Sequence, residues 1–448
     1  MLNRSFVWTL AGLILAMPLF LSTSLLAAQE DSGPELDALK KENAQLNERV
    51  ATLEAAVKAI QQQLREQNEM PEMRVAEVSE AGTKDKPGVR SKLPLTLYGF
   101  AKLDAAYDSS RTDDGNYARW VESETANRGD SQFNMTARQT RLGMNFEDYD
   151  LGRSLKTGGK VEVDFYGGGA ENKNALQMRH AYMNLKWEDQ GTELLGGQTW
   201  DLISPLNPST LNYTVAWWAG NLGYRRPQVR LTRNMDVGES SQLTLAGALT
   251  RTIGEDWGFD PGDTGEDSGF PTLQGRAGVS FPFMDKTAGL GLSGHWGEEE
   301  YDSANDGTHQ NFDTWSGNLD LSLPLWKGVT LKGELWSGEN LDAYLGGIGQ
   351  GVNQTLLQEI SSKGGWAALN FPICEKWQIN LGAAIDDPDN DDLNNGDRSE
   401  NRALWGNAIY NMTDFTQVGL ELSSWETKYK NQGDGSSTRV QSSVIHKF

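Results

Sequence analysis

The chain has one cysteine, Cys374, among 448 residues. It allows neither an internal disulfide nor a thiolate metal cluster, so neither kind of staple holds the fold. Positive charge is also short: 40 Lys and Arg stand against 62 Asp and Glu, a formal charge of −22. A nucleic-acid partner needs a basic surface to displace counterions, and here the overall sign is wrong. There are 4 histidines: His446 falls at the chain's periplasmic end, His309 in an acidic loop, and neither His180 nor His295 is flanked by a serine-centred motif, so catalysis is not expected. No motif asks for a cofactor, and the acidic run that starts at Asp387 lacks the glutamate a dedicated calcium loop needs at its twelfth position. Beyond residue 28 no stretch approaches ~18 consecutive apolar residues, so a membrane-held mature chain would not be held by a helix. With 38% apolar residues and 15 Trp, the composition is too polar for a helical membrane protein and rich in Trp for a soluble one.

What is present begins with an export signal, expected over residues 1–28. Arg4 supplies a positive start, Leu10 to Leu26 is almost wholly apolar, and Ala27 and Ala28 are small residues at a cleavage point. A membrane anchor is the alternative, at the low edge of spanning length. Over 29–67, Leu36, Leu39, Asn43, Leu46, Val50, Leu53, Val57, Ile60 and Leu64 follow one another at spacings of three and four, the heptad seam of a coiled coil. Ser32 and Glu35 match a capping box, with Pro34 in the first turn. Such a stripe implies self-association, or else packing of an amphipathic helix on the chain's own domain. The core residues leave the number of helices open, and Asn43 reads as a polar residue that fixes register. Residues 68–92, with Pro71, Gly82 and Pro87 and no periodicity, read as a flexible linker.

From residue 93 the period switches to two. Leu95, Leu97, Gly99, Ala101, Leu103, Ala105 and Tyr107 share one face, and Tyr98, Phe100, Lys102 and Asp104 share the other. The same alternation recurs to the last residue, Phe448, which closes an alternating segment from Val440. Counting the first, there are sixteen such segments, the even number expected of an all-β, antiparallel transmembrane barrel over 93–448. The connections alternate between short turns and long polar loops, the latter including 108–132, 201–222, 253–270, 298–311, 339–361 and 387–400. Short turns belong to the periplasm and long loops to the outside. Tyr107, Trp187, Trp200, Trp296, Trp326, Trp336, Trp377, Trp405 and Trp425 fall near strand ends and read as interfacial girdles. A soluble sandwich is the competing reading, but it would need two cores.

A barrel of this size leaves an aqueous lumen, so function rests on the groups that face it. Arg230 shares parity with Gln228 and Thr232, opposite Val229 and Leu231, and Arg141 shares parity with Gln139 and Asn145, opposite Leu142 and Met144. Both are therefore expected to face water, since an arginine toward lipid costs ~2–4 kcal/mol at mid-bilayer. Arg276 and Lys332 also alternate onto polar faces. Guanidinium forks along one wall would favour anions. The alternative is a balanced lining in which Glu162, Asp164, Glu334 and Glu421 cancel the arginines, giving a weakly selective general pore. Residues 201–222 form a loop unlike the acidic others, with one carboxylate, Asp201, and with Trp217 and Trp218. It is expected to fold inward and narrow the lumen, or to pack at a subunit interface. The acidic loops put carboxylates at the outer rim, where divalent ions would bridge them to lipopolysaccharide.

The order of signal, coiled coil and barrel, opening on LYGFAKLDAAYD and followed by RQTRLGMNF, RHAYMNL, LLGGQTWD and YRRPQVRLT, resembles the DcaP-like outer-membrane porins of Gram-negative bacteria. The resemblance covers nearly the whole mature chain and is most specific in strands two to six. It implies a homotrimer in the outer membrane, a periplasmic coiled coil, and passage of small, mainly carboxylate-bearing anions. Carried over by motif, Arg138, Arg141, Arg179, Arg225 and Arg230 form the basic pore wall, with Arg226 beside them and Arg276 added by alternation, and 201–222 is the constriction. Phe448 is then the signal read by the barrel-assembly machinery. An envelope tether, with the coiled coil as the functional part, is the third class of function.

Overall fold

The computed structural model describes residues 94–448 apart from 169–170, 254–264, 285 and 303–307. The expected signal segment, coiled-coil seam and linker lie outside the described residues. No helix among the described residues is long and apolar enough to cross a membrane.

The wall strands of the first half are β1 (Leu95–Asp108), β2 (Gln132–Thr136, resumed by Arg141–Gly152), β3 (Leu155–Asp164), β4 (Gln177–Trp187), β5 (Thr192–Trp200), β6 (Arg225–Val237), β7 (Ser241–Thr250) and β8 (Thr272–Phe283). The second half supplies β9 (Lys286–Asp302), β10 (His309–Pro324), β11 (Thr330–Glu339), β12 (Ser361–Pro372), β13 (Trp377–Pro388), β14 (Arg398–Asn411), β15 (Thr416–Tyr429) and β16 (Gln432–Lys447). Both pieces of β2 pair with β1, so the 17 segments of the sheet make sixteen wall strands. Each pairs antiparallel with the next, and β1 pairs with β16 from Phe100↔Lys447 to Asp108↔Arg439. The ring is closed and presents no free edge, as a sheet in lipid requires.

Alternation sets an inside-out distribution. Leu97 is 73% exposed, Leu292 62% and Leu422 58%, whereas the inward Lys102, Asp104 and Asp164 are buried. Leucines left open outside and charges buried inside are what a lipid-facing wall needs. Inward aromatics lie over glycines of the neighbouring strand: a side chain at Gly382 would meet the Trp405 ring at 2.1 Å, and one at Gly364 would meet Trp336 at 2.5 Å. Trp336, Trp405 and Trp425 are therefore buried lumen residues rather than girdle residues, because parity and not height decides the face. Tyr107, Trp296, Trp326 and Trp377 are exposed on the outer surface, as a girdle requires.

The segment 298–311, read from its polar composition as a long loop, is mostly strand. β9 and β10 stay paired from Glu298↔Asp313 to Asp302↔His309. A hairpin that projects beyond the bilayer is wetted on its outer face, so acidic composition there reports solvation and not a break in pairing.

Three long connections, L1 (109–131), L3 (201–224) and L6 (340–360), build a core inside the ring. Ala118 and Val121 of L1, with Ala216 and Ala219 of L3, pack on the inner faces of Trp366, Ala368, Ala384, Ala403, Trp405 and Trp425. Ile203 and Leu222 of L3, with Leu341, Ala343 and Tyr344 of L6, pack on Trp336. The apolar inner surface of β11 to β15 is thus covered by loops, and what remains open lies on the other side.

Candidate functional site in the barrel lumen

L3 is pinned at its root and along its length. At the root, the Asp201 amide donates to Tyr224 O at 2.9 Å, and Asp201 accepts from Tyr224 N at 2.8 Å and from Gln274 Nε2 at 2.7 Å. Arg226 closes this knot, its Nε 2.8 Å from Asp201 Oδ1, its Nη2 donating to Ala343 O of L6 at 3.1 Å, and its guanidinium 3.9 Å over the Tyr344 ring. Along the loop, Leu206 N donates to Glu334 Oε1 and Leu211 N to Glu421 Oε2, both at 2.7 Å. Trp336 Nε1 donates to Gly220 O and Asn401 Nδ2 to Trp218 O, again at 2.7 Å. These pins hold Val215, Ala216 and Trp218 at positive φ (46°, 64° and 61°), which for a β-branched residue such as Val215 is costly unless its surroundings impose it.

Trp217 is buried in the middle of L3, with ring centroids 5.9 Å from Trp200, 6.2 Å from Tyr213 and 6.3 Å from Tyr224. Trp218 meets L1 instead: the Arg119 guanidinium lies 4.9 Å from its ring and 4.5 Å from Trp120. Burial pushes the Tyr213 and Tyr344 phenols above their ordinary values, so both stay protonated, and Tyr213 Oη donates to Gln177 Oε1 at 3.1 Å.

Gly220 is where L3 touches the wall backbone. A side chain there would lie 2.3 Å from Gly365 O and 2.7 Å from Ile385 O, and its φ is +129°. Gly220→Val is expected to lift L3 off the wall at a cost of ~1–3 kcal/mol in loop anchoring. The variant should form channels of larger and noisier conductance in planar bilayers. Unchanged conductance would mean that L3 does not limit flow.

The basic residues face the half of the lumen that L3 leaves uncovered. Arg141 and Lys160 flank Glu162 at 3.5 Å each, with side chains 23% and 26% exposed. Arg276 forks onto Asp320 and is 18% exposed. Arg230 donates to Gln228 Oε1 at 2.9 Å and to Trp200 O, with no carboxylate partner among the described residues. Arg230 and Arg276 together line a cavity of about 330 Å³ against Asp201, Leu222 and Tyr224.

The other arginines are deeper. Arg179 reaches the lumen beside His180 because a bulge opposite Glu162 and Val163 puts both inward. It is spent on Glu162 at 2.8 Å and Asp164 at 2.7 Å. Arg138 donates to Phe165 O at 3.2 Å and lies 4.6 Å over Tyr166. Arg225 sits between Trp200 at 4.7 Å and Tyr224 at 5.0 Å, and its three guanidinium nitrogens make no hydrogen bond among the described residues. Sequence reasoning missed Lys160, although its parity with Glu162 and Asp164 marks it as inward. It also missed L6, whose apolar, glycine-rich stretch from Leu341 to Gly351 carries the same signal that singled out L3.

The sequence profile of the DcaP outer membrane protein family matches residues 35–256, a span that takes in L3 and most of the basic wall. Over that span, just under half of the sequence, the chain is similar to the DcaP outer membrane protein family. The match is to an outer membrane protein family, and the fold is that of a porin-type barrel of the Gram-negative outer membrane. No curated protein matches it significantly. Among solved structures, the outer membrane channel DcaP of Acinetobacter baumannii superposes with a TM-score of 0.62 at 20% identity, over 81% of this chain and 99% of that one. The anion-selective porin from Comamonas acidovorans gives 0.50 at 16% identity, over 79% and 99%. OmpT of Vibrio cholerae gives 0.50 at 12%, over 80% and 99%. At such identities the likeness to these proteins is one of fold.

Proposed function

We propose that this DcaP-like protein passes small carboxylate-bearing anions across the outer membrane by passive diffusion along the arginine-bearing half of its lumen. The observation that carries this is an asymmetry of exposure. Five inward carboxylates are withdrawn from solution: Glu162 is 3% exposed, Asp164 0%, Asp320 5%, Glu334 2% and Glu421 1%. Glu334 and Glu421 hold L3, and Glu162 and Asp164 hold Arg179. The side chains of Arg141, Lys160 and Arg276 keep roughly a fifth to a quarter of their surface open, so the charge a solute meets is positive. A balanced lining would need the carboxylates at the same surface. Guanidinium forks match carboxylates in geometry as well as sign. L3, pinned across the lumen, is the constriction in this reading.

The assembly that goes with it is a homotrimer whose coiled coils, joined through Leu36 to Leu64, stand in the periplasm. Its acidic outer loops meet lipopolysaccharide through divalent ions. Phe448 serves the barrel-assembly machinery from the closing seam, where its amide donates to Gly99 O at 3.1 Å and its ring covers the side-chain position of Gly99. The deciding experiment is the reversal potential of one purified channel in a salt gradient. An anion-selective value is expected, and a clearly cation-selective one would overturn the proposal.

A further inference from the structure

Beyond Trp296, the outer part of β9 turns Glu299 inward against the start of L6. Glu299 is 1% exposed, Asn340 0% and Asp342 1%. Asn340 Nδ2 donates to Glu299 Oε2 at 3.0 Å, and Tyr301 Oη donates to the same oxygen at 3.2 Å. Glu299 Oε1 and Asn340 Oδ1, by contrast, accept no hydrogen bond among the described residues, and Glu299 has no ion pair among them. The side-chain position that Gly351 lacks lies 2.1 Å from Asn340 Oδ1 and 2.5 Å from Asp342 Oδ1, so those two oxygens are no more than about 4.6 Å apart. Glycine at 351 keeps the space beside them clear.

Buried polar atoms are almost always bonded, and a buried carboxylate without a countercharge is among the costliest things a fold can hold. The guanidinium that reaches this region, Arg226, is already engaged by Asp201 at 2.8 Å. Asn340 Oδ1 and Asp342 Oδ1 share one space, and Glu299 is hydrogen-bonded to the same Asn340, so two carboxylates and an amide carbonyl offer a hard, oxygen-only donor set there. We propose that Glu299, Asn340 and Asp342 bind a calcium ion that fastens L6 to the barrel wall. Calcium suits the place better than magnesium, which demands near-octahedral geometry and gives up its water reluctantly. Because Tyr344 and Leu341 of L6 pack on Ile203 and Leu222 of L3, an ion that steadies L6 also steadies the root of L3.

The site is distinct from the surface trio Glu300, Asp302 and His309, whose ligand atoms lie within 4.8 Å of one another on the opposite face of the same hairpin. That trio supplies the control.

The test uses purified full-length protein in detergent, stripped with a chelator and titrated with Tb³⁺, with luminescence sensitised by Tyr301 and Tyr344 and competed by Ca²⁺. One competed site per chain is expected. Glu299→Gln should weaken Ca²⁺ competition by about tenfold or more, because affinity follows the charge of the ligand set. Gly351→Ala, which keeps every charge and fills the space, should weaken it likewise, while Glu300→Gln should leave it unchanged. Heat-modifiability on gels shows which variants are folded, and Gly351→Ala carries the test if Glu299→Gln is not. Wild-type affinity in either folded variant, loss of the signal in Glu300→Gln, or no competed site in the native protein at millimolar Ca²⁺ would overturn the proposal.

Discussion

Replacing Arg141 and Arg230 together by alanine is expected to remove most of the channel's preference for anions while leaving the barrel assembled. The structure separates these two from the other arginines by what their loss would strand. Without Arg141, Glu162 keeps Arg179 at 2.8 Å and the Tyr98 hydroxyl at 2.7 Å. Without Arg230, only Gln228 Oε1 and Trp200 O lose a donor, and both are neutral. No buried carboxylate is orphaned, so the fold should stand. A unit charge acting on a solute about 4 Å away contributes ~1 kcal/mol in water and more between low-dielectric walls. Two such charges correspond to a fall of about tenfold or more in the anion-to-cation permeability ratio.

The effect should also depend on salt. The screening length is ~10 Å at 0.1 M and ~3 Å at 1 M, so the variant and the native channel should differ most in dilute electrolyte. Substituting lysine at the two positions sorts charge from shape: retained selectivity with weaker carboxylate block would assign the fork its own role. Reversal potentials that match the native channel at low salt, in a folded double variant, would remove these arginines from the selectivity argument.

How much of this was legible in the sequence varies with the physical signal each feature leaves. The wall strands were readable because lipid on one face and lumen on the other force a period of two. Arg141, Arg230 and Arg276 were readable by the same parity. Parity stops at direction, however. It assigns Arg226 to the same lumen as Arg230 but not to Asp201, which reaches it only across the folded wall, and it misplaces Arg179, which a bulge turns inward onto Glu162 and Asp164. Arg225 shows a second limit. By register it lies opposite Trp200, two residues before Pro227 and on the parity of Pro227 and Val229, and it is buried because the strand end and L3 close over it. L3 itself was conspicuous as an apolar loop, yet Asp201, its lone carboxylate, proves to be the knot at its base, buried and bonded. Composition marks a segment as unsuited to water without saying what it will rest on.

That knot gives the largest expected effect on stability. Arg226→Met removes the guanidinium at similar volume and leaves Asp201 with its two hydrogen bonds, from Tyr224 N and Gln274 Nε2, but without a countercharge. Asp201 is 4% exposed, so water cannot substitute, and breaking a buried pair by deleting one partner costs ~3–5 kcal/mol. The cost should fall on both loops, because Arg226 also donates to Ala343 O and stacks on Tyr344. A lower temperature for loss of the heat-modifiable band, with current noise from a loosened L3 and L6, is the expected phenotype. Pairing the change with Asp201→Asn discharges the stranded carboxylate while keeping its shape, and should restore part of the loss. The four proteins, native, two single and one double variant, form a cycle whose coupling energy isolates the pair from the packing each residue also provides. Coupling near zero, with Arg226→Met as stable as the native channel, would show that hydrogen bonds alone hold the root of L3 and that the ion pair is dispensable.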